Sequence, residues 1–206
     1  MALSITAIQT AAMDLLTCVC AAIDQLPSQV AGLMGCPCRT GVVAGTPAAD
    51  GCDEDCTAPG PGEWPGQLTV NVARLFASDG QSFPRERDVF TVRDKRNCQP
   101  PQVTAVELVI TLFRCTPLPS DLGCPPSMAD LTANAMQIHA DMLAVQQGIL
   151  CCFADTDPTR LRGRRYTVGD TRALGPQGGC AGFETRVIVA LDDCIPCPTP
   201  EPVDAD

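Results

Sequence analysis

The sequence is poor in aromatic residues and contains a single histidine. Phe, Tyr and Trp together make up 4% of the 206 residues, so a hydrophobic core has to be built from Leu, Val, Ile and Ala. His139 falls in the middle of a predicted helix beside its apolar stripe, where a partly buried structural role is expected. A Ser–His or Cys–His nucleophile would depend on this one residue, and we therefore expect no enzymatic activity.

Basic residues are also scarce. The chain has 14 Lys and Arg against 24 Asp and Glu, which gives a net charge of −10. Binding to nucleic acid through the phosphates is disfavoured, because that affinity comes from clustered Lys and Arg. The acidity instead suits a surface that DNA passes without sticking, and solubility alone is the alternative explanation.

Long hydrophobic runs are missing too: the longest are about ten residues, against about 20 needed to span a bilayer. The apolar start "MALSITAIQTAAMDLLTCVCAAIDQLP" lacks a basic segment, and Asp14 interrupts it, so it is interpreted as an amphipathic helix rather than a signal peptide. The glycine cluster "GPQGGCAG" has no Lys-Ser or Lys-Thr after it, and no dinucleotide fingerprint is present. No cofactor is predicted from these features.

Cysteine, by contrast, is abundant, with 14 residues. The closing "CIPC", Cys194 to Cys197, is spaced like a thioredoxin dithiol, but the surrounding prolines exclude the helix that would lower the thiol pKa. Two explanations stay open for the paired cysteines: disulfide or other structural roles, and a structural zinc site, whose irregular ligand spacing makes it the weaker one. The residues concerned are Cys36, Cys38, Cys52, Cys56, Cys194 and Cys197.

Two helices are predicted from apolar residues at helical spacing. The first runs from Ser4 to about Leu26, where Pro27 is expected to stop it. The second follows a capping box formed by Ser127 and Asp130. Its predicted core stripe consists of Leu131, Ala135, Ile138, Met142, Val145 and Ile149.

Alternating apolar residues predict strands at "QLTVNVARLF", "VTAVELVITLFRC" and "FETRVIVAL", with a further short strand at "VFTVRD". Residues 35–66 and the Gly-rich "YTVGDTRALGPQGGCAG" are expected to form loops and turns. The order predicts an α+β fold, an antiparallel or mixed sheet with two amphipathic helices packed on one face. A single domain is expected over 1–193, with 35–66 as a loop insertion and 194–206 as an acidic Pro-rich tail. We expect Cys194 and Cys197 to tie the last strand back to the body.

Two arginine-bearing segments stand out in this acidic chain, "ASDGQSFPRERD" and "RLRGRR". A solvated loop is one explanation, and electrostatic docking on an acidic partner or a neighbouring copy is the other. The candidate interface residues are Arg85, Arg87, Arg160, Arg162, Arg164 and Arg165.

The order of elements resembles the tail terminator proteins of long-tailed bacteriophages. The matching parts are "AIQTAAMDLLTCVCAAIDQLP", "QLTVNVARLF", "VTAVELVITLFRC" and "SMADLTANAMQIHADMLAVQQGIL". The closing "GPQGGCAGFETRVIVALDD" is similar to the Gly-rich turn and final strand of many actinobacterial phage versions. The resemblance covers about two thirds of the chain, and it leaves out residues 35–66 and the Cys-Pro tail.

This resemblance implies a non-enzymatic virion protein made in the host cytoplasm. Such a protein forms a homo-oligomeric ring, usually a hexamer, at the head-proximal end of the tail tube. The ring ends tube polymerisation and joins the tail to the head–tail connector, while genomic DNA passes through the lumen without specific binding. No membrane partner is implied. The alternatives are a head-completion or neck protein on the portal side, and a cysteine-stapled or zinc-stabilised binding module.

Overall fold

A mixed five-stranded sheet with two long helices on one face forms the frame of the protein, which is α+β as predicted. The computed structural model describes residues 5–47, 64–79, 82–86, 102–119, 123–154, 165–177 and 179–191. Within these ranges the helices are α1 (Ile5–Ile23), α2 (Leu26–Gln29) and α3 (Met128–Ala154). The strands are β1 (Pro37–Val43), β2 (Trp64–Asp79), β3 (Gln102–Cys115), β4 (Tyr166–Gln177) and β5 (Cys180–Leu191).

The strands lie in the order β1-β2-β3-β5-β4. β1 runs parallel to β2, and every other neighbouring pair is antiparallel. β3 is the central strand, and its register pairs Val106 with Leu75 on one side and with Val189 on the other. β1 and β4 are therefore the two edge strands of the described sheet.

Strict alternation on β3 and β5 builds the core. Val106, Leu108, Ile110 and Leu112 all point to the helical face and are fully buried, as the sequence predicts. The predicted inward set on β5 is buried as well: Phe183, Thr185, Val187, Val189 and Leu191. Because successive strand residues point to opposite faces, this alternation places both helices on a single side of the sheet.

α1 packs over the β1–β2 half of the sheet, and α3 packs over the β4–β5 half. The two helices touch at Gly148, where an added Cβ would lie 2.9 Å from the Cα of Val19. A larger residue at this position would push the helices apart. The N-cap half of the predicted capping box is present, since Ser127 Oγ accepts from the Asp130 backbone N–H at 3.1 Å; the same hydroxyl donates to Oδ2 of Asp130 at 2.6 Å.

Several predicted boundaries were wrong. α1 ends at Ile23 rather than near Leu26, and Pro27 sits in the first turn of α2, where its missing N–H costs no helical hydrogen bond. Part of the predicted loop 35–66 forms β1, because the β-branched run at Thr40, Val42 and Val43 pairs with β2. The Gly-rich stretch predicted as turns is mostly β4, a long hairpin partner of β5.

Val72, one of the alternating apolar residues of β2, is 36% exposed, because β1 ends opposite Asn71 and a register shift follows Val72. The predicted strand at "VFTVRD" and the tail 194–206 lie outside the described residues.

Candidate functional site

Two disulfides connect α1 to the rest of the fold. Cys18 is bonded to Cys152 near the end of α3, and Cys20 is bonded to Cys36 just before β1. Cys38 is also disulfide-bonded. Cys18 and Cys20 were not among the paired cysteines singled out from the sequence, yet both form cross-links. The predicted structural role of Cys36 and Cys38 as disulfide cysteines is confirmed.

The zinc alternative loses two of its proposed ligands, because a sulfur in a disulfide is not a thiolate and cannot bind zinc. Among the described residues, no group of three or more His, Cys, Asp or Glu side chains is placed to hold a metal ion. Cys52, Cys56, Cys194 and Cys197 lie outside the described residues.

One groove lies between α1 and α3, beside the first disulfide. It encloses about 200 Å³ and is lined by Cys18, Gln25, Gln147 and Cys151, among others. Small-molecule sites typically occupy about 300–1,000 Å³ and gather several polar groups on one ligand. This groove is smaller than that range and has no charged side chain in its lining.

The most elaborate polar site is fully buried. Arg114, at the end of β3, forms a bidentate ion pair with Asp141 of α3, with Nε–Oδ2 and Nη2–Oδ1 distances of 2.8 and 2.9 Å. Both side chains have no solvent exposure. The same guanidinium donates to the carbonyl oxygens of Gly35 at 2.8 Å and Pro65 at 3.3 Å. One arginine thus fastens β3, α3, the entry to β1 and the start of β2.

Gln137 extends this buried network by one helical turn. Its Nε2 donates to Oδ1 of Asp141 at 3.0 Å, and its Oε1 accepts from the backbone N–H of Met34 at 2.7 Å. Burial raises the pKa of the Asp141 carboxyl above its ordinary value, although Arg114 and Gln137 both donate to it. Because the network has no access to solvent, its role is to hold elements together rather than to act on a substrate.

A charged row crosses the sheet on the face opposite the helices. Glu107, on β3, accepts from the guanidinium of Arg74 on β2 and, at 2.9 Å, from Nη1 of Arg186 on β5. Arg186 in turn lies 3.5 Å from Glu184. Partial burial would raise the pKa of Glu107, but the hydrogen bonds from the two arginines outweigh it and lower the pKa.

This opposite face is largely buried and mixes polar residues with apolar ones, among them Val103, Val109 and Phe113. Its polar residues, each less than a tenth exposed, are Gln67, Thr69, Asn71, Glu107 and Thr111. Thr69 Oγ1 and Asn71 Oδ1 are buried and make no hydrogen bond to a described residue. Val103, Val109 and Phe113 do not belong to the hydrophobic core cluster, which lies on the helical side of the sheet.

The structure brings together the described parts of the two arginine-bearing segments. The guanidinium of Arg165, just before β4, lies 6.0 Å from the ring centre of Phe83. Arg85 is two residues from Phe83, and its carbonyl oxygen accepts from the backbone N–H of Asp79 at 3.0 Å. Arg85 and Arg165 therefore lie at one end of the sheet, where β2 ends and β4 begins. Arg87, Arg160, Arg162 and Arg164 lie outside the described residues.

The outer side of α3 carries an apolar stripe that the sequence patterns did not predict. Met136, Leu143 and Leu150 follow one another at intervals of seven and are 57%, 69% and 45% exposed. They lie opposite the buried side of the helix that Val145 marks. His139 lies between the first two and is exposed, so the predicted partly buried position is wrong.

Leu131, predicted as part of the core stripe, is 40% exposed, because it lies in the first turn of α3, before the helix reaches the core. The later members, Val145 and Ile149, are fully buried as predicted. Ile138 and Met142 are partly buried against the same core.

By length and composition, the segment from Thr6 to Gln29 is apolar enough to cross a bilayer. In the fold, the apolar side of α1 instead packs into the core, where Ala12, Leu15, Val19 and Ile23 are fully buried. The two disulfides hold the same helix against α3 and the entry to β1. One side of this apolar helix therefore belongs to the core.

Comparison with known proteins adds no relative: no protein-family model matches the sequence, and no curated protein matches it significantly.

Proposed function

We propose that the chain is a structural virion protein, a tail terminator of a long-tailed bacteriophage. Copies of the chain would form a ring, usually of six, on the head-proximal end of the tail tube. The ring would stop the tube from growing and present a docking face to the filled head. Its surface would do this work through contacts between subunits, without a chemical reaction.

The observation that carries the proposal is the placement of the segments that resemble this family. They form α1, β2, β3, α3 and β5, three neighbouring strands with both long helices on one face. The resemblance therefore rests on elements that belong to one continuous core rather than on scattered stretches. Fold alone does not give function, so the surfaces of the chain have to support the same conclusion.

Charge supports it. A net charge of −10 suits a conduit wall, because an acidic lumen repels phosphates and lets DNA slide. Against this acidic background, Arg85 and Arg165 lie together at one end of the sheet. Exposed arginines on an acidic subunit suit docking to the tail tube or to the adjacent copy.

The disulfides fit the same setting. Thiols of a chain made in the host cytoplasm are kept reduced, and they can oxidise after the particle reaches an oxidising exterior. The bonds Cys18–Cys152 and Cys20–Cys36 would then stabilise the finished particle.

Immunogold labelling tests where the chain lies in the phage particle. Gold-labelled antibodies against the purified chain, applied to particles of the phage that encodes it, should mark the joint between head and tail in electron micrographs. Label along the whole tail, at the tail tip or on the capsid shell would contradict the proposal, as would particles that contain no chain.

A further inference from the structure

Two apolar patches of unlike shape remain exposed on the helical side of the fold. The first, the α3 stripe, consists of Met136, Leu143 and Leu150. The second, the β2 patch, consists of Val72 and Leu75, which are 36% and 49% exposed. Their register partners Leu108 and Val106 belong to the buried core, so both β2 side chains point to the helical face.

One row of residues that crosses the sheet leads from the β2 patch to the last turn of α3. Leu75 pairs with Val106, Val106 pairs with Val189, and Val189 pairs with Tyr166. Tyr166 stacks on Phe153 in the last turn of α3, with a centroid distance of 4.7 Å. Three strand spacings of about 4.8 Å therefore separate the β2 patch from the strand beneath α3, a span of about 14 Å.

Neither patch can cover the other within one chain, because α1 packs on the β1–β2 half of the sheet and α3 on the opposite half. Within the part of the chain that the structure describes, the β2 patch also borders an open edge. β1 ends opposite Asn71, and among the described residues no strand pairs with that side of β2 from Val72 to Ala77. An open strand edge beside exposed apolar side chains is typical of a contact surface.

We propose that the α3 stripe of one copy packs on the β2 patch of the next copy. Two unlike patches on opposite halves of a subunit make a head-to-tail contact, and such contacts close into a ring when the rotation allows. This inference rests on the proposed ring and names the surfaces that would join its subunits.

Charge favours a second copy as the occupant. The outer side of α3 carries Thr132, Met136, His139, Leu143, Gln146 and Leu150, none of them a carboxylate. Two chains with a net charge of −10 repel each other, so one copy approaches another most easily through a surface without acidic groups. The stripe is such a place.

The size of the patches predicts how the contact behaves. From Met136 to Leu150 the stripe is about 21 Å long and about 10 Å wide, which gives about 200 Å² per copy. A stable pair usually buries about 800 Å² per partner, so one such contact is weak. Because a single contact is weak, association is expected only at high concentration. In a closed ring every copy uses both patches, so several copies are expected to join together.

Charge reversal tests the contact. Sedimentation velocity of the purified, oxidised chain over a wide concentration range should show self-association of the wild type. L143E and L75K should each shift association to at least about tenfold higher concentration, since each places a charge in an apolar contact. The double variant L143E/L75K should associate again, because every contact then joins the new carboxylate on α3 of one copy to the new ammonium group on β2 of the next. L118E is the matched control, because Leu118 is 61% exposed and lies outside both patches, and it should behave like the wild type.

The outcomes separate this inference from the proposed function. A wild type that stays monomeric at every concentration overturns the contact, as does a double variant that stays monomeric. Loss of association in L143E but not in L75K would show α3 packing on α3 and would also overturn it. If the antibody label still marks the head–tail joint in either case, the proposed function stands while this contact fails. Thermal unfolding of each variant shows that the fold is retained.

Discussion

Arg114 and Asp141 form a bidentate ion pair from which all solvent is excluded. The pair joins the central strand to α3, and two backbone carbonyls accept two further N–H groups of the arginine. A buried pair of this kind adds little stability compared with apolar residues of the same size, but removing one partner is costly. It therefore fixes how the elements pack more than it raises the free energy of unfolding.

The first prediction uses the unequal chemistry of the two partners. Asp141→Leu leaves an arginine that cannot lose its charge, and we expect a loss of about 3–5 kcal/mol in the free energy of unfolding. Arg114→Met should cost less, because the Asp141 carboxyl, whose pKa burial already raises, can take up a proton. Denaturant unfolding at several pH values measures both, and the cost of Arg114→Met should shrink as the pH falls. Equal costs at all pH values would contradict this account.

A matched control comes from the surface. Asp170 and Arg172 form an ion pair at 2.6 Å with both side chains more than half exposed. Asp170→Leu should leave the unfolding midpoint essentially unchanged, because solvent screens an exposed pair. The double variant Arg114→Met/Asp141→Leu should be more stable than Asp141→Leu alone, since no charge then remains buried.

The second prediction concerns the disulfides. Cys18–Cys152 joins residues 134 apart in sequence, and Cys20–Cys36 joins residues 16 apart. Loop-closure entropy predicts losses of about 4–5 kcal/mol for Cys18→Ala/Cys152→Ala and about 3 kcal/mol for Cys20→Ala/Cys36→Ala. Guanidinium unfolding of the oxidised proteins measures the difference. After reduction, both variants should unfold close to the reduced wild type, and a persisting gap would show that packing rather than cross-linking is responsible.

The third prediction follows from the lowered pKa of Glu107. A carboxyl whose pKa is depressed in the folded state stabilises the fold above its unfolded value, here 4.5, and that contribution is lost as the pH falls through the folded value. The unfolding free energy of Glu107→Gln should therefore fall less steeply than that of the wild type below about pH 4.5. Glu184→Gln serves as a control, because the contact of Glu184 with the charged row is a distance of 3.5 Å to Arg186. Parallel curves for wild type and Glu107→Gln would contradict the role given to the row.

The fourth prediction tests the arginine-bearing end of the sheet. Replacing Arg162, Arg164 and Arg165 by Glu should abolish incorporation of the chain into tails, because it reverses the charge of the proposed docking end. Arg165→Glu alone should weaken incorporation, whereas Arg172→Glu should not, since Arg172 is an exposed arginine engaged with Asp170. Complementation of a phage that lacks the gene, scored by electron microscopy, measures this. Normal tails from the triple variant would refute the docking surface.

Strong alternation and helical spacing made most of the core predictable. Val106 to Leu112 alternate without interruption, and Val145 and Ile149 continue a clear helical stripe. β1 was missed because Gly and Pro surround its short β-branched run, and its pairing with β2 depends on tertiary contact. β4 was missed because its glycines mask a strand that β5 holds in register.

The sequence contains a signal for the buried ion pair that the sequence analysis did not use. Arg114 continues the inward alternation of β3 two residues after Leu112, and Asp141 lies one turn before Val145 on the buried side of α3. A charge on a predicted core face requires a partner of opposite charge, so the two could have been paired from the sequence. The α3 stripe also had a signal, a spacing of seven opposite the core side. No signal in the sequence indicated which cysteines pair with each other, because spacing does not determine connectivity.

The most direct test of the central claim is the length of the tail tubes made when the chain is missing. In a phage whose gene for this chain is interrupted, a terminator account predicts tubes of widely varying length, many longer than normal, and heads without tails. Restoring the wild-type chain should return a single tube length. Tubes of normal length that fail to join heads would point instead to a neck protein on the portal side, and normal joined particles would contradict the account altogether.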